Sequence, residues 1–143
     1  MKKQGVTLLL AIFIGSLALT LGIGVFTLLY GELGFSGTSK DSLVAFFAAD
    51  SGIECALYWD IRQNAFSTST TATITCDNDT ATVGGASGFS SFVVAFSDGS
   101  CATVTVSKGG GLTTITSLGQ NTGDSSCRSQ STRVVQRGLE VSY

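Results

Sequence analysis

Hydrophobic positions fall along this chain in three regimes. From Val6 to Tyr30 they are nearly continuous, VTLLLAIFIGSLALTLGIGVFTLLY, a run of 25 residues without a charge between Lys3 and Glu32. From Ser42 to about Ile61 they recur at helical spacing, and beyond Phe66 they alternate with serine and threonine at the two-residue period of strands. The first regime predicts a transmembrane helix: at about 1.5 Å per residue it crosses the roughly 30 Å hydrocarbon core of a bilayer with some tilt. A lone span in lipid must satisfy its own backbone groups, which a helix does. No proline interrupts it. Its polar side chains are the hydroxyls of Thr7, Ser16, Thr20 and Thr27, which can bond back to the preceding turn.

The stretch that follows, Gly31 to Gly37 (GELGFSG), can loosen a helix, since each interior glycine costs about 1 kcal/mol against alanine. Thr38-Ser39-Lys40-Asp41 matches a capping box with Asp41 in place of glutamate. A second helix starting near Ser39 and one helix running through are both open. In the second regime Leu43, Phe46, Phe47, Ile53, Leu57 and Ile61 share an arc of roughly 120°. This stripe is expected to pack on a C-terminal sheet. Asp50 and Glu54 project into the same arc, one turn apart. Either they sit solvated at its rim, or they cap backbone N–H groups of the sheet or of a neighbour. Acid–base catalysis by such a pair needs a cleft, which a helix stripe beneath a sheet does not provide.

In the third regime, residues 67–71 form a Ser/Thr linker. Ala72 to Cys76, Ser91 to Phe96, Cys101 to Val106, Thr113 to Leu118 and Arg133 to Val141 read as strands. Asp98-Gly99 and Gly109-Gly110-Gly111 read as turns between them, and so does Gly84-Gly85. The glycine clusters lack the strand-to-helix setting and lysine of a phosphate loop. The expected fold is α+β: a long N-terminal helix spine packed on a small antiparallel meander of four or five strands. Its divisions are 1–5, 6–30 (the span), 31–66 (the amphipathic continuation) and 67–143 (the sheet domain).

Four cysteines, Cys55, Cys76, Cys101 and Cys127, all follow the span. An even count on one side of a membrane reads as disulfides in an oxidising space, against the alternative of four buried thiols. Three connectivities are possible. In a meander Cys101 starts a strand beside the loop that holds Cys127, so Cys101–Cys127 is preferred. Cys55–Cys76 then ties the helix end to the first strand. Asp77-Asn78-Asp79 offers Asp77 and Asp79 as weak Ca²⁺ ligands, but it lacks the glycine and distal glutamate of an EF-hand, and turn chemistry explains it equally.

The net charge of −2 does not suggest specific nucleic-acid binding, and the absence of histidine removes the commonest general base and metal ligand. No metal or other cofactor and no enzymatic activity are expected. Lys2 and Lys3 precede the span and Lys40 is the next lysine, which orients the N-terminus toward the cytoplasm and the rest outside. The apolar run is too long for a secretory signal peptide.

The junction Met1-Lys2-Lys3-Gln4-Gly5 followed by Val6-Thr7-Leu8-Leu9-Leu10 resembles the leader of type IV pilins and pseudopilins. In that family a prepilin peptidase cuts after the glycine and the new N-terminal residue is methylated. The resemblance implies a leader at 1–5, cleavage after Gly5 and N-methylation of Val6. The chain departs from the family pattern at Val6, where Phe or Met is usual, and at Leu10, where the fifth mature residue is usually Glu. That glutamate neutralises a neighbouring subunit's buried amine, and an unpaired buried amine is costly. Ala45-Phe46-Phe47-Ala48-Ala49-Asp50-Ser51-Gly52-Ile53-Glu54 is similar to the A-F-Y-A-A-E-A-G-I-E segment of PilX-type minor pilins.

The resemblance implies a type IV pilin-like fold and a minor pilin or pseudopilin, placed at the tip or in priming because of Leu10. Its implied partners are other pilin subunits, the inner-membrane assembly machinery, prepilin peptidase and, before assembly, membrane lipid. Its final location would be an extracellular pilus. The competing expectation is a single-pass anchored extracytoplasmic binding domain without a filament role.

Overall fold

The computed structural model describes residues 3–143, side chains at 3–5 and 33–35 excepted. Helix α1 spans Lys3–Gln63 and is followed by six strands, β1 (Thr71–Cys76), β2 (Asp79–Gly84), β3 (Phe89–Ala95), β4 (Cys101–Gly109), β5 (Leu112–Gln120) and β6 (Gln136–Ser142). The chain divides into two compact units, Met1–Thr38 and Ser39–Tyr143.

In the first unit α1 is apolar on every side, and its described side chains are exposed. It is long and apolar enough to cross a membrane. Ser16, Thr20 and Thr27 donate to the carbonyls of Phe13, Leu17 and Gly24, each at 2.9 Å, so these hydroxyls are satisfied within the helix. Leucine, isoleucine and phenylalanine around the whole circumference make water an unfavourable solvent for this segment. The helical assignment continues through residues 31–38, so the capping box at 38–41 does not open a second helix.

In the second unit the strands form two antiparallel sheets, a β1-β2 hairpin and a meander of order β3-β4-β5-β6. The expected single sheet of four or five strands is corrected in two places. Residues 79–84, which are not among the expected strands, pair along their length with β1. Its alternating Thr80, Ala81 and Thr82 offer little apolar contrast, so cross-strand pairing rather than periodicity makes the strand. The final strand begins at Gln136 rather than Arg133, because Asn121 holds the preceding backbone through its side chain. The Asn121 amide donates to the Arg133 carbonyl, and its oxygen accepts from the Val135 N–H at 2.8 Å. The β4–β5 turn has Gly110 and Gly111 at φ 62° and 84°, the left-handed pair that a tight two-residue hairpin loop requires.

Two side chains join the sheets. Asp79 Oδ2 accepts from the Ala95 N–H at 2.7 Å, and Ser90 Oγ accepts from the Gly84 N–H at 2.8 Å. The core holds Phe66, Ile74, Val83, Phe92, Val94, Val104, Val106 and Ile115, with Ile53 and Ala56 from the helix. Phe66 and Phe92 stack at 6.0 Å between centroids.

The helix meets the sheet through a face other than the expected one. Leu43, Phe46, Phe47 and Ile61 are exposed, and Leu57 is half-buried; of the stripe only Ile53 is fully buried. The buried face is Ala45, Ala48, Ala49, Gly52, Ile53, Ala56 and Asp60. Close approach is the reason. A Cβ on Gly119 of β5 would overlap the Ala45 carbonyl oxygen and the Ala49 nitrogen, and one on Gly52 would lie 2.6 Å from Ser117 Oγ. Backbone packs on backbone there, and phenylalanine or leucine has no room. Asn64, left-handed at φ 48°, ends α1, and the N–H groups of Asn64 and Ala65 close on the Asp60 and Trp59 carbonyls at 3.0 Å each.

Candidate functional site

With its small-residue face committed to the sheet, α1 turns its large side chains outward. Leu43, Phe47, Tyr58 and Ile61 are 55%, 60%, 55% and 64% exposed. At about 100° per residue these four lie within an arc of roughly 60°, which also contains Lys40 and Glu54. Asp50 lies at the edge of the arc, half-buried, while Glu54 is exposed. The ion pairs among the described residues are Asp60–Lys108 and Asp41–Arg133, so neither Asp50 nor Glu54 joins one. Among the described residues, neither accepts from a backbone N–H of the sheet. The arrangement is an apolar stripe punctuated by charge, a surface suited to docking rather than to bond making.

A second cluster lies at the far end of α1. Asp60 is buried, its side chain only 3% exposed, and it faces Lys108 at the end of β4 with Nζ 2.5 Å from Oδ1. Tyr143, just past β6, donates its hydroxyl to Asp60 Oδ2 at 2.6 Å. Burial, then this hydrogen bond and the Asp60 charge, push the Tyr143 phenol well above its ordinary range. Next to it, Trp59 Nε1 donates to the Thr75 carbonyl at 3.0 Å. Helix end, β1, β4 and the residue after β6 are thus held at one point. Both Asp60 oxygens are engaged by side chains of the same domain, so the cluster is a structural junction.

The cysteines are joined as Cys55–Cys76 and Cys101–Cys127, with Cα separations of 6.0 and 5.5 Å. Asp77 occupies the β1–β2 turn at φ 54°, and the Asp79 carboxylate is engaged by the Ala95 N–H. They are not joined by further donors: among the described residues no group of three or more His, Cys, Asp or Glu comes together to hold a metal. Val6 is exposed on α1, whereas the side-chain surroundings of Gly5 and of the rest of the leader expected at 1–5 lie outside the described residues. An open groove of about 320 Å³ runs beside Phe47, Ser51, Phe96 and Asp98. Its one acid, Asp98, accepts from the Ser100 hydroxyl at 2.6 Å and from the Ser100 N–H at 2.9 Å, and these bonds hold its carboxyl below the usual range.

Compared with protein-family models, curated proteins and solved structures, the chain matches none. Sequence reasoning singled out Asp50 and Glu54 but missed Asp60, Lys108 and Tyr143. One signal for Asp60 was available: it follows Ala45, Ala49, Gly52 and Ala56 at three- and four-residue spacing, on the small-residue face. Nothing in the sequence marks Lys108 or Tyr143 as its partners, which are separated from it by 48 and 83 positions.

Proposed function

We propose that the chain is a structural subunit of a type IV pilus-like filament, a minor pilin or pseudopilin. The observation that carries this reading is that one helix, α1, bears both an all-apolar stretch and, further along, an outward stripe of Leu43, Phe47, Tyr58 and Ile61. An anchor alone accounts for the first. It gives no reason for an amphipathic helix to turn large apolar side chains away from its own sheet, where water contact is unfavourable. A helix that exchanges lipid for neighbouring helices uses both. The basic residues ahead of a charge-free segment, Gly5 before Val6, and the AFFAADSGIE segment support the same reading. Two disulfides suit a domain that works outside the cytoplasm.

In this account the span holds the subunit in the inner membrane with its N-terminus cytoplasmic. Prepilin peptidase releases the leader and Val6 is methylated. Assembly machinery then moves the helix into a bundle, where van der Waals packing replaces lipid contact. Leu10, in place of an acid, places the subunit in priming or at the tip, where one neighbour's amine is missing. The role is structural and non-enzymatic.

The test is mass spectrometry of the membrane-extracted chain from its native host, without reductant. The expected product begins at N-methylated Val6 and lacks four cysteine hydrogens. An intact Met1 terminus would instead support a membrane-anchored extracytoplasmic binding domain.

A further inference from the structure

We propose that Lys108 and Asp60 condense to an amide, a covalent link between the end of α1 and the end of β4, with the Tyr143 hydroxyl as the donor that holds the carboxyl oxygen. Their contact is not that of an ordinary ion pair. Lys108 Nζ lies 2.5 Å from Asp60 Oδ1, whereas an ammonium–carboxylate hydrogen bond settles at about 2.7–2.9 Å. The direction differs too: Oδ1 is buried and, among the described residues, has no hydrogen-bond partner, so the nitrogen approaches off the line that a donor takes. In an amide, a C–N bond of about 1.33 Å and a C=O bond of about 1.23 Å leave nitrogen and oxygen about 2.2 Å apart on one carbon. The observed separation falls between the two.

The backbone holds all three groups in place. Lys108 pairs with Thr113, and Thr113 exchanges backbone hydrogen bonds with Tyr143 at 2.8 and 3.0 Å, so lysine and tyrosine share one cross-strand row. Asp60 is fixed above that row, where its carbonyl closes the end of α1. Such preorganisation makes a condensation that is slow between free groups effectively unimolecular. The Asp60 side chain is only 3% exposed, and a desolvated pair of charges gains by neutralising. The ammonium passes one proton to Oδ1, and the neutral amine attacks Cγ. The N–C bond forms, a second nitrogen proton moves to Oδ1, and Oδ1 leaves as water. Ammonium and carboxylate thus give an amide and one water, with nothing else consumed. Tyr143 donates to Oδ2 at 2.6 Å, where charge develops during the attack, and burial keeps its phenol protonated. The link joins positions 48 apart in the chain and ties α1 to an inner strand of the four-stranded sheet. The ion pair alone is the minimum that this junction contributes to stability, and the amide adds to it. The link does not depend on the filament reading, because all three groups belong to one compact unit.

The experiment is intact-mass measurement and tryptic peptide mapping of the full chain extracted from its native host, with the N-terminus read from the same sample. The expected chain is one water short beyond the hydrogens lost to its two disulfides, and trypsin, which cuts after a free lysine, leaves a branched peptide joining Lys108 to Asp60. Lys108→Arg and Asp60→Ala should each carry the full mass. Tyr143→Phe should accumulate the link roughly a hundredfold more slowly after synthesis. A disulfide-bonded parent chain of full mass, cut by trypsin at Lys108, overturns the proposal and leaves an ion pair. A missing water that maps to another residue overturns it as well. Equal rates in Tyr143→Phe and the parent chain overturn the role of Tyr143.

Discussion

Asp60→Ala is the perturbation that most directly tests how the sheet domain is held together. The substitution leaves Lys108 Nζ without its carboxylate and the Tyr143 hydroxyl without its acceptor. Removing one member of a buried ion pair costs about 3–5 kcal/mol, because the remaining charge stays desolvated. Here the survivors are not sealed in. The Lys108 side chain is 22% exposed and Tyr143 is 44% exposed, so water reaches both once the carboxylate is gone. The lower end, about 3 kcal/mol, is therefore expected, which corresponds to a fall in Tm of about 12 °C or more for a domain of this size. Tyr143→Phe removes only the hydrogen bond to the charged oxygen and should cost about 1.5–2 kcal/mol. Asp60→Asn keeps an acceptor for Tyr143 and should fall between the two. The double variant Asp60→Ala/Tyr143→Phe should be no worse than Asp60→Ala alone, because the hydroxyl has then lost its partner already. The assay is thermal unfolding of the full chain in detergent micelles with disulfides intact. Its signal is the fluorescence of Trp59, the single tryptophan, whose indole N–H is bonded to Thr75 beside this junction. A Tm shift under about 3 °C for Asp60→Ala, or full additivity in the double variant, would refute the view that the three side chains act as one unit.

Three further outcomes follow from the same packing. The Tyr143 phenol titrates above its unfolded value, so its contribution to stability is complete below about pH 10 and is lost as pH rises beyond it; stability measured across alkaline pH should fall in the parent chain and fall less in Tyr143→Phe. Gly119→Val places two methyl groups and a Cβ where the helix backbone lies, and should cost at least about 3 kcal/mol or abolish folding, whereas Gly99→Ala, in open space, should cost only its left-handed strain of about 1 kcal/mol; denaturant midpoints compare them. Replacing Cys101 and Cys127 together with serine opens a loop with a sequence separation of 26 and should lower stability by about 3.5 kcal/mol on the chain-entropy account; an unchanged denaturant midpoint would contradict it.

How legible this molecule is depends on whether a feature is carried by neighbours in the chain. The span from Val6 to Tyr30 needs only its own composition, because length and unbroken apolarity are local properties. The strands around Ile74, Phe92, Val104 and Ile115 are legible for the same reason: each alternates clearly between buried and open sides. β2 is not, since threonine and alanine give no contrast until β1 lies beside them. The helix from 43 to 61 illustrates the harder limit. Its periodicity shows two apolar faces, one of leucine, phenylalanine and tyrosine and one of alanine, glycine and isoleucine. Weighting by size selects the first, with Ile53 at its edge, as the core face, yet the sheet takes the second and keeps only Ile53 of the expected stripe fully buried. Only the tertiary structure decides this, because the choice depends on Gly119 and Ser117 of β5 arriving so close that nothing larger than a methyl group fits at Ala45, Ala49 and Gly52. The Asp60 junction belongs to the same category. Its three side chains come from positions 60, 108 and 143, and folding alone makes them adjacent. The residues by themselves determine a helix that must leave water; the close seam between α1 and β5 determines which of its later side chains are left facing outward.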